Sequence, residues 1–492
     1  MTSSRTFKAG ILGSSKVLIR LSGIVSAAFL ARLLTQVDYA AYRQTILSFH
    51  LVEPFLVLGL SQALVYFIPR DRGNSRSILT GNLIILFIMG SIFFLGMWMG
   101  GNELLASRFN NPVLKRLLLI YSPYGILALP LTTIGGCLLA CNRVKSLAIF
   151  EVISRVVGLV LVISFVLIWR NPTAAVAGII VGTAIMFFPG LKLMYSAAAA
   201  GSWAPSRINM KAQLNFGIPL GLASLIGMIS INLDKLLVSS FFSPEQFAIY
   251  VNGAVEVPLV GIITGSVVAI LIPEFAESYK KGDYGIVIDL WQRAMIKCAL
   301  IMFPLMFYLF LMAPEVMTVL FSSKYTESYI PFRIYLLLFP MRITNFGALL
   351  MAAGLSRLIM IRTIGALLIN LILSYILINY IGYIGAAVGT LVTAYTWSVT
   401  YSLKKIGIVY HCNVIKLIPI KKLLQILFLS FFPAILIIVI RMLISERLPV
   451  IRVIACGMVY GILTAALFQI GGLVSIADMS RLISKRIGKW MK

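Results

Sequence analysis

Nine basic residues fall inside apolar runs of this 492-residue chain: Lys16, Arg20, Arg155, Lys235, Arg293, Lys297, Arg342, Arg362 and Arg441. The acids in those runs are Glu53, Glu151, Asp234 and Glu256, with Asp289 near an end. A charge at membrane depth is costly unless it faces a wet cavity or a partner. The cationic excess therefore predicts a cavity for an anion. Lys16 and Arg20 are four residues apart, on one helix face, where like charges repel. An anion would relieve that repulsion, and a guanidinium can hold phosphate oxygens bidentately. Arg20 lies about 15 Å into its helix, near the bilayer middle, too deep to snorkel easily. A salt bridge from Arg20 to a carboxylate such as Glu53 is the structural alternative. Arg293 and Lys297 repeat the four-residue spacing and suit either the anion or a cytoplasmic snorkelling position. Arg342 is the matching candidate well inside the tenth helix. Arg362 and Arg441 sit near helix ends and read as snorkelling; Glu151 and Arg155 are expected to neutralise one another.

The acids suggest ion coupling. Glu53 and Glu256 stand just before Pro54 and Pro258, and proline frees a carbonyl and bends its helix. Each carboxylate could bind a proton or partner an arginine. Asp234, in "INLDKLL", is the third coupling candidate. Five cysteines and two histidines show no metal or disulfide spacing. No cofactor is expected beyond a coupling ion, proton or sodium, and no metal beyond sodium at Asp234.

These residues need membrane helices to position them. Hydrophobic residues make up 60% of the chain and charged residues 12%, with mean hydropathy +0.99, whereas a soluble domain carries about 25% charged residues. The expectation is an all-α integral membrane protein of about fourteen helices. They are placed near 10–34, 44–69, 77–100, 114–141, 146–169, 174–197, 214–240, 247–273, 287–312, 328–353, 358–381, 383–402, 422–443 and 450–473. Lysine and arginine concentrate at the two ends and in alternate loops, which predicts both termini in the cytoplasm. That bias accounts for most of the net charge of +26 without a nucleic-acid partner. The tail "SRLISKRIGKWMK" has the spacing of a helix lying on an anionic lipid surface. No cluster of acid, base and nucleophile marks an enzyme.

The chain repeats itself. "DYAAYRQ" is echoed by "QFAIYVN", with Tyr42 matching Tyr250; Pro54 and Pro69 have the spacing of Pro258 and Pro273. "LLACNRVKSLAIFEVISRVVGLVLVISFVLI" is echoed by "LMAAGLSRLIMIRTIGALLINLILSYILI". An offset near 210 residues spans six helices, an even number, so both copies enter the membrane in the same direction. The expected architecture is two six-helix lobes, 1–200 and 201–405, related by a pseudo-twofold axis along the membrane normal. Residues 406–492 add two C-terminal helices and the tail. Repeats of this kind suit alternating-access transport.

The runs "LARLLTQVDYAAYRQTILSFHLVEPFLVLGLSQALVYFIPR", "INLDKLLVSSFFSPEQFAIYVNGAVEVPLV", "LIPEF" with a following "KGD", and "LMAPEVMTVLFSSKYTES" resemble the Wzx-type oligosaccharide flippases. These belong to the multidrug, oligosaccharidyl-lipid and polysaccharide exporter superfamily. The resemblance covers the whole chain in length, helix count and repeat order. Ala41 and Ile249 stand where the family often has glycine before tyrosine. The resemblance implies export of polyprenyl-diphosphate-linked oligosaccharide units across the inner membrane for surface polysaccharide such as O-antigen. Membrane lipid, that substrate and polysaccharide polymerase or assembly proteins are the implied partners. A multidrug antiporter or a lipid II flippase is the alternative, although an antiporter for organic cations should be richer in acids. Related lipid flippases bind sodium with an acid on the seventh helix and polar groups on helices 11 and 12. Asp234, Asn370, Thr390 and Thr393 could supply such oxygens.

Overall fold

The computed structural model describes residues 5–445 and 448–473. All secondary structure among them is helical, the open-chain solution that a hydrocarbon environment permits. The first helices are α1 (Arg5–Leu33), α2 (Gln36–Val57), α3 (Leu60–Phe67), α4 (Ser75–Gly96) and α5 (Asn102–Arg108). Next come α6 (Pro112–Tyr121), α7 (Pro123–Leu131), α8 (Ile134–Ala140), α9 (Val144–Trp169) and α10 (Pro172–Ala197). The middle of the chain forms α11 (Arg207–Phe241), α12 (Pro244–Gly253), α13 (Pro258–Lys281), α14 (Tyr284–Leu311) and α15 (Ala313–Phe321). Then follow α16 (Tyr329–Leu336), α17 (Phe339–Arg342), α18 (Phe346–Ala352), α19 (Ser356–Ile381) and α20 (Ile384–Thr393). The last are α21 (Thr400–Val409), α22 (Val414–Leu417), α23 (Ile420–Leu443) and α24 (Pro449–Ile470). The starts follow local chemistry: Thr35, Asn111 and Asn171 cap α2, α6 and α10, the last two with proline in the first turn.

Eleven helices among the described residues are long and apolar enough to cross a membrane, or twelve if the bent run 323–352 is one span. Helix stands at each of the fourteen expected positions. In the twelfth, a π-helical turn, Ala394–Val399, lies between α20 and α21.

The repeat recurs in the helix boundaries. The helices α8, α9 and α10 (134–140, 144–169, 172–197) return as α18, α19 and the α20–α21 run (346–352, 356–381, 384–409), 212 residues later at every boundary. Likewise α1 ends and α2 begins at 33 and 36, while α11 ends and α12 begins at 241 and 244, an offset of 208. The two copies diverge at the proline. The helix α2 runs through Pro54 to Val57, whereas the chain breaks before Pro258, which starts α13.

By internal packing the chain forms two compact units. Unit 1 runs to Val251 and includes Asn370–Ala386; unit 2 holds Asn252–Ile369 and the chain from Ala387 on. The lobes drawn on the repeat, 1–200 and 201–405, divide the chain differently and stay a proposal about which parts move together. Unit 1 has a core that includes Leu64, Leu79, Cys137, Leu138 and Met194. Unit 2 has one around Met312, Ile437, Cys456 and Tyr460. The basic tail at 480–492 lies outside the described residues.

Buried polar groups tie the helices of unit 1 together, as burial in a membrane protein requires. The Gln44 amide donates to the Phe109 carbonyl and Ser239 Oγ and accepts from Asn111, joining α2 and α11 to the chain entering α6. Asn82 donates to the Leu60 carbonyl and to Gln213 Oε1, and Gln213 donates to the Ile78 carbonyl.

Candidate functional site

In unit 1, α1 packs along α9. Lys16 and Arg20 are exposed on α1, and neither makes a hydrogen bond or salt bridge among the described residues, although Lys16 lies within electrostatic reach of Glu151 on α9. Glu151 and Arg155 on α9 are not ion-paired to one another. Two serines of α1 intervene: Ser15 Oγ donates to Glu151 at 3.5 Å, and Arg155 Nε donates to Ser22 Oγ at 2.8 Å. Arg155 also lies against Gly23, where a Cβ would sit 3.1 Å from its guanidinium. The cationic face of α1 is thus extended by Arg155. Glu53 pairs not with Arg20 but with His50 on its own helix, Nδ1 to Oε2 at 2.9 Å.

Unit 2 brings Arg342 and Glu256 together at 3.1 Å, each about half exposed. Both sit where helices break. Glu256 lies in the non-helical stretch between α12 and α13, and Arg342 ends the four-residue α17 inside the bent run. Arg293 pairs with Asp289 at 2.6 Å on α14, and Lys297 is exposed without a partner among the described residues. Exposed pairs such as these are held by about 1 kcal/mol or less, so an incoming anion can compete for either arginine.

Asp234 on α11 is 2% exposed and accepts from the Tyr250 hydroxyl at 2.7 Å. Tyr250 meets Tyr383 edge-on, and Phe241 and Phe242 meet Tyr375 and Tyr383, so α11 and α12 pack on the Asn370–Ala386 segment of the same unit. In that segment Ser374 Oγ lies 2.8 Å from Asn370 Oδ1 and 3.4 Å from the Ala386 carbonyl. Asp234, Asn370 and Ser374 are hard oxygen donors, the chemistry a sodium ion takes. No group of three metal-ligating His, Cys, Asp or Glu occurs among the described residues, so such a site would rest on neutral oxygens around one carboxylate. Thr390 and Thr393 lie on α20 in unit 2. Thr393 is 3% exposed, and its hydroxyl has no partner among the described residues.

Two features escape sequence reading. Glu315, 6% exposed on α15, accepts through Oε1 from Arg441 of α23 at 2.6 Å and from Arg452 of α24 at 3.3 Å. Arg441 is therefore not a snorkelling residue; it fastens the last two helices to unit 2. The motif "LMAPEVMTVLF" carries Glu315 and was the available signal. Nor is Arg362 a free snorkel: its carbonyl accepts from the Trp397 indole at 2.9 Å, and its guanidinium lies 3.5 Å from Ser402 Oγ.

A repeated helical bundle with at least eleven helices long and apolar enough to cross a membrane among its described residues defines a multi-pass membrane protein. The solved structures that resemble it share that fold. The lipid II flippase MurJ in an inward closed conformation has a TM-score of 0.71 at 18% identity, covering 94% of this chain and 99% of that one. An inward-facing multidrug resistance MATE transporter of the MOP superfamily has 0.63 at 16%, covering 80% and 96%. A MOP superfamily transporter from Pyrococcus furiosus, described as having a binding pocket of reverse polarity, has 0.55 at 16%, covering 82% and 96%. The chain belongs to the polysaccharide biosynthesis protein family, whose model matches residues 29–330. No curated protein matches it in sequence.

Proposed function

We propose that the protein is a flippase that moves polyprenyl-diphosphate-linked oligosaccharide repeat units from the cytoplasmic to the outer face of the inner membrane. The observation that carries this reading is the pair Lys16 and Arg20, exposed on α1 of a polysaccharide biosynthesis protein and in no salt bridge among the described residues. The diphosphate docks on these cations. In unit 2, Arg342 and Arg293, exchanging Glu256 and Asp289 for phosphate oxygens, and Lys297 are further candidates for holding phosphate. The sugars follow in water and the polyprenyl tail stays in lipid. Alternating access then exposes the head group outside, where polymerase or assembly proteins take it. The termini are cytoplasmic. Asp234, with Asn370 in the same unit, is the candidate for a sodium ion, and Glu53 and Glu256 for a proton.

The test is Arg20→Ala in cells that keep normal protein levels. Lipid-linked oligosaccharide should accumulate on the cytoplasmic face. Unchanged export removes Arg20 from the mechanism, and transport of cationic dyes without effect on glycan moves the protein to the antiporter branch.

A further inference from the structure

One of the two histidines in the chain, His50, has no part in that phosphate binding. It stands on α2 with Nδ1 2.9 Å from Glu53 Oε2, and beside an ionised carboxylate, which can only accept, that nitrogen is the donor. The two side chains are 50% and 25% exposed, so water reaches both. Other acids have partners that keep one charge through the neutral range: Tyr250 for Asp234, Arg342 for Glu256, Arg441 and Arg452 for Glu315. Glu53 is instead bonded to the side-chain type whose charge changes between about pH 5 and 8. The open atom is His50 Nε2, which has no partner among the described residues. A proton arriving there from water makes the ring an imidazolium, keeps the Nδ1–H bond to Glu53, and takes the pair from one negative charge to none.

The backbone beside the pair is built to respond. Pro54 lacks the N–H that would bond the His50 carbonyl, so the helix is weakened at the histidine itself. The helix then ends on two left-handed residues, Leu58 at φ 50° and Gly59 at φ 65°, before α3 begins. A Cβ on Gly59 would sit 2.5 Å from the Gly217 carbonyl oxygen, and one on Gly221 2.8 Å from Leu58 Cα. The break is therefore pressed against α11.

Phe49 packs on Phe93 of α4, Tyr121 of α6 and Tyr124 of α7, and both tyrosines lie within electrostatic reach of Glu53. Arg155 of α9 reaches Tyr124 and Tyr42; α2 itself adds Tyr39, Tyr42, Arg43 and Asp38. The helices packed on α2 carry Lys16, Arg20 and Arg32 on α1, Arg76 on α4, Lys115 and Arg116 on α6, Lys192 on α10, and Arg207, Lys211, Asp234 and Lys235 on α11.

We propose that His50 and Glu53 form a proton-binding dyad, in which one proton taken up at His50 Nε2 alters the stability of α2 between Pro54 and the Leu58–Gly59 break. Coupling of that proton to transport rests on the flippase reading above; the proton site itself does not.

The experiment uses the full chain in lipid nanodiscs with His411→Asn, leaving His50 as its one imidazole. Hydrogen exchange across residues 51–64 is compared at about pH 5.5 and 7.5, corrected for intrinsic rates. Exchange should differ between the two, the difference vanishing in His50→Gln and shrinking in Glu53→Gln, with unfolding temperatures confirming that both variants fold. Equal exchange at both pH values, or a difference that survives His50→Gln, overturns the dyad. In proteoliposomes, His50→Gln should lose the acceleration that an imposed proton gradient gives the parent protein. Acceleration kept in His50→Gln, or driven by sodium alone, overturns the coupling role. A pH-sensitive α2 in a protein that flips no lipid-linked sugar sinks the flippase reading and leaves the dyad standing.

Discussion

Arg342 is a cation already held by a carboxylate, and that makes its role measurable. Because the Glu256 pair is half exposed, it competes weakly with an arriving phosphate. Glu256→Gln should therefore tighten binding of a polyprenyl-diphosphate oligosaccharide by up to about fivefold, and Arg342→Ala should weaken it, both read by fluorescence titration in nanodiscs. Equal affinities in the three proteins would take Arg342 off the substrate path. At this scale the sequence exposes which charges lie in the membrane but not which of them pair. Spacing suggested Glu151 with Arg155, yet serines on the neighbouring α1 take both. Glu53 was as available to Arg20 as to any cation by sequence, but His50, three residues back on the same helix, is within reach whatever the packing. Asp234 was legible as a buried acid; its tyrosine, sixteen residues on and in the next helix, was not.

Helices meet closely where side chains are absent, and α2 against α11 is the clearest case. A methyl group on Gly217 would run into the Leu58 carbonyl oxygen, which is backbone and cannot turn away. Gly217→Ala should cost about 1–3 kcal/mol of overpacking, seen as a lower unfolding temperature, whereas Gly13→Ala, with open space around it inside α1, should not lower that temperature and should raise it slightly. The end of unit 2 is fastened by charge instead. Glu315→Leu strands two guanidinium groups and should cost about 3 kcal/mol, the lower end of the range because Arg441 is one-third exposed. Loosening of α23 and α24, detected by faster proteolysis of their loop, is the accompanying sign. Apolar runs made these helices legible. The breaks inside them were not, because Leu58 in a left-handed conformation and the π-helical turn at Ala394–Val399 leave no composition signal. Glu315 stands just outside an apolar run, where nothing in the sequence marks it as the partner of Arg441 and Arg452.

For the whole molecule, the duplicated pattern is the strongest statement the sequence made, and three successive helical segments return at one fixed offset. Two copies separated by an even number of crossings must enter the membrane alike, so the sidedness of one copy sets that of the other. The proposed orientation keeps the basic loops in the cytoplasm, since lysine and arginine resist translocation. Unit 1 offers two exposed serines for a direct check, Ser202 in the segment after α10 and Ser107 near the end of α5. All five native cysteines are first replaced, three of them buried and the other two partly so. A membrane-impermeant maleimide applied to cells whose inner membrane is accessible from outside should label Ser107→Cys and leave Ser202→Cys unlabelled until the membrane is opened. The reverse pattern would invert the protein and place Lys16 and Arg20 on a path that begins outside. Export of an anionic lipid-linked sugar would then lose its physical basis, because the cations would meet the head group only after it had crossed.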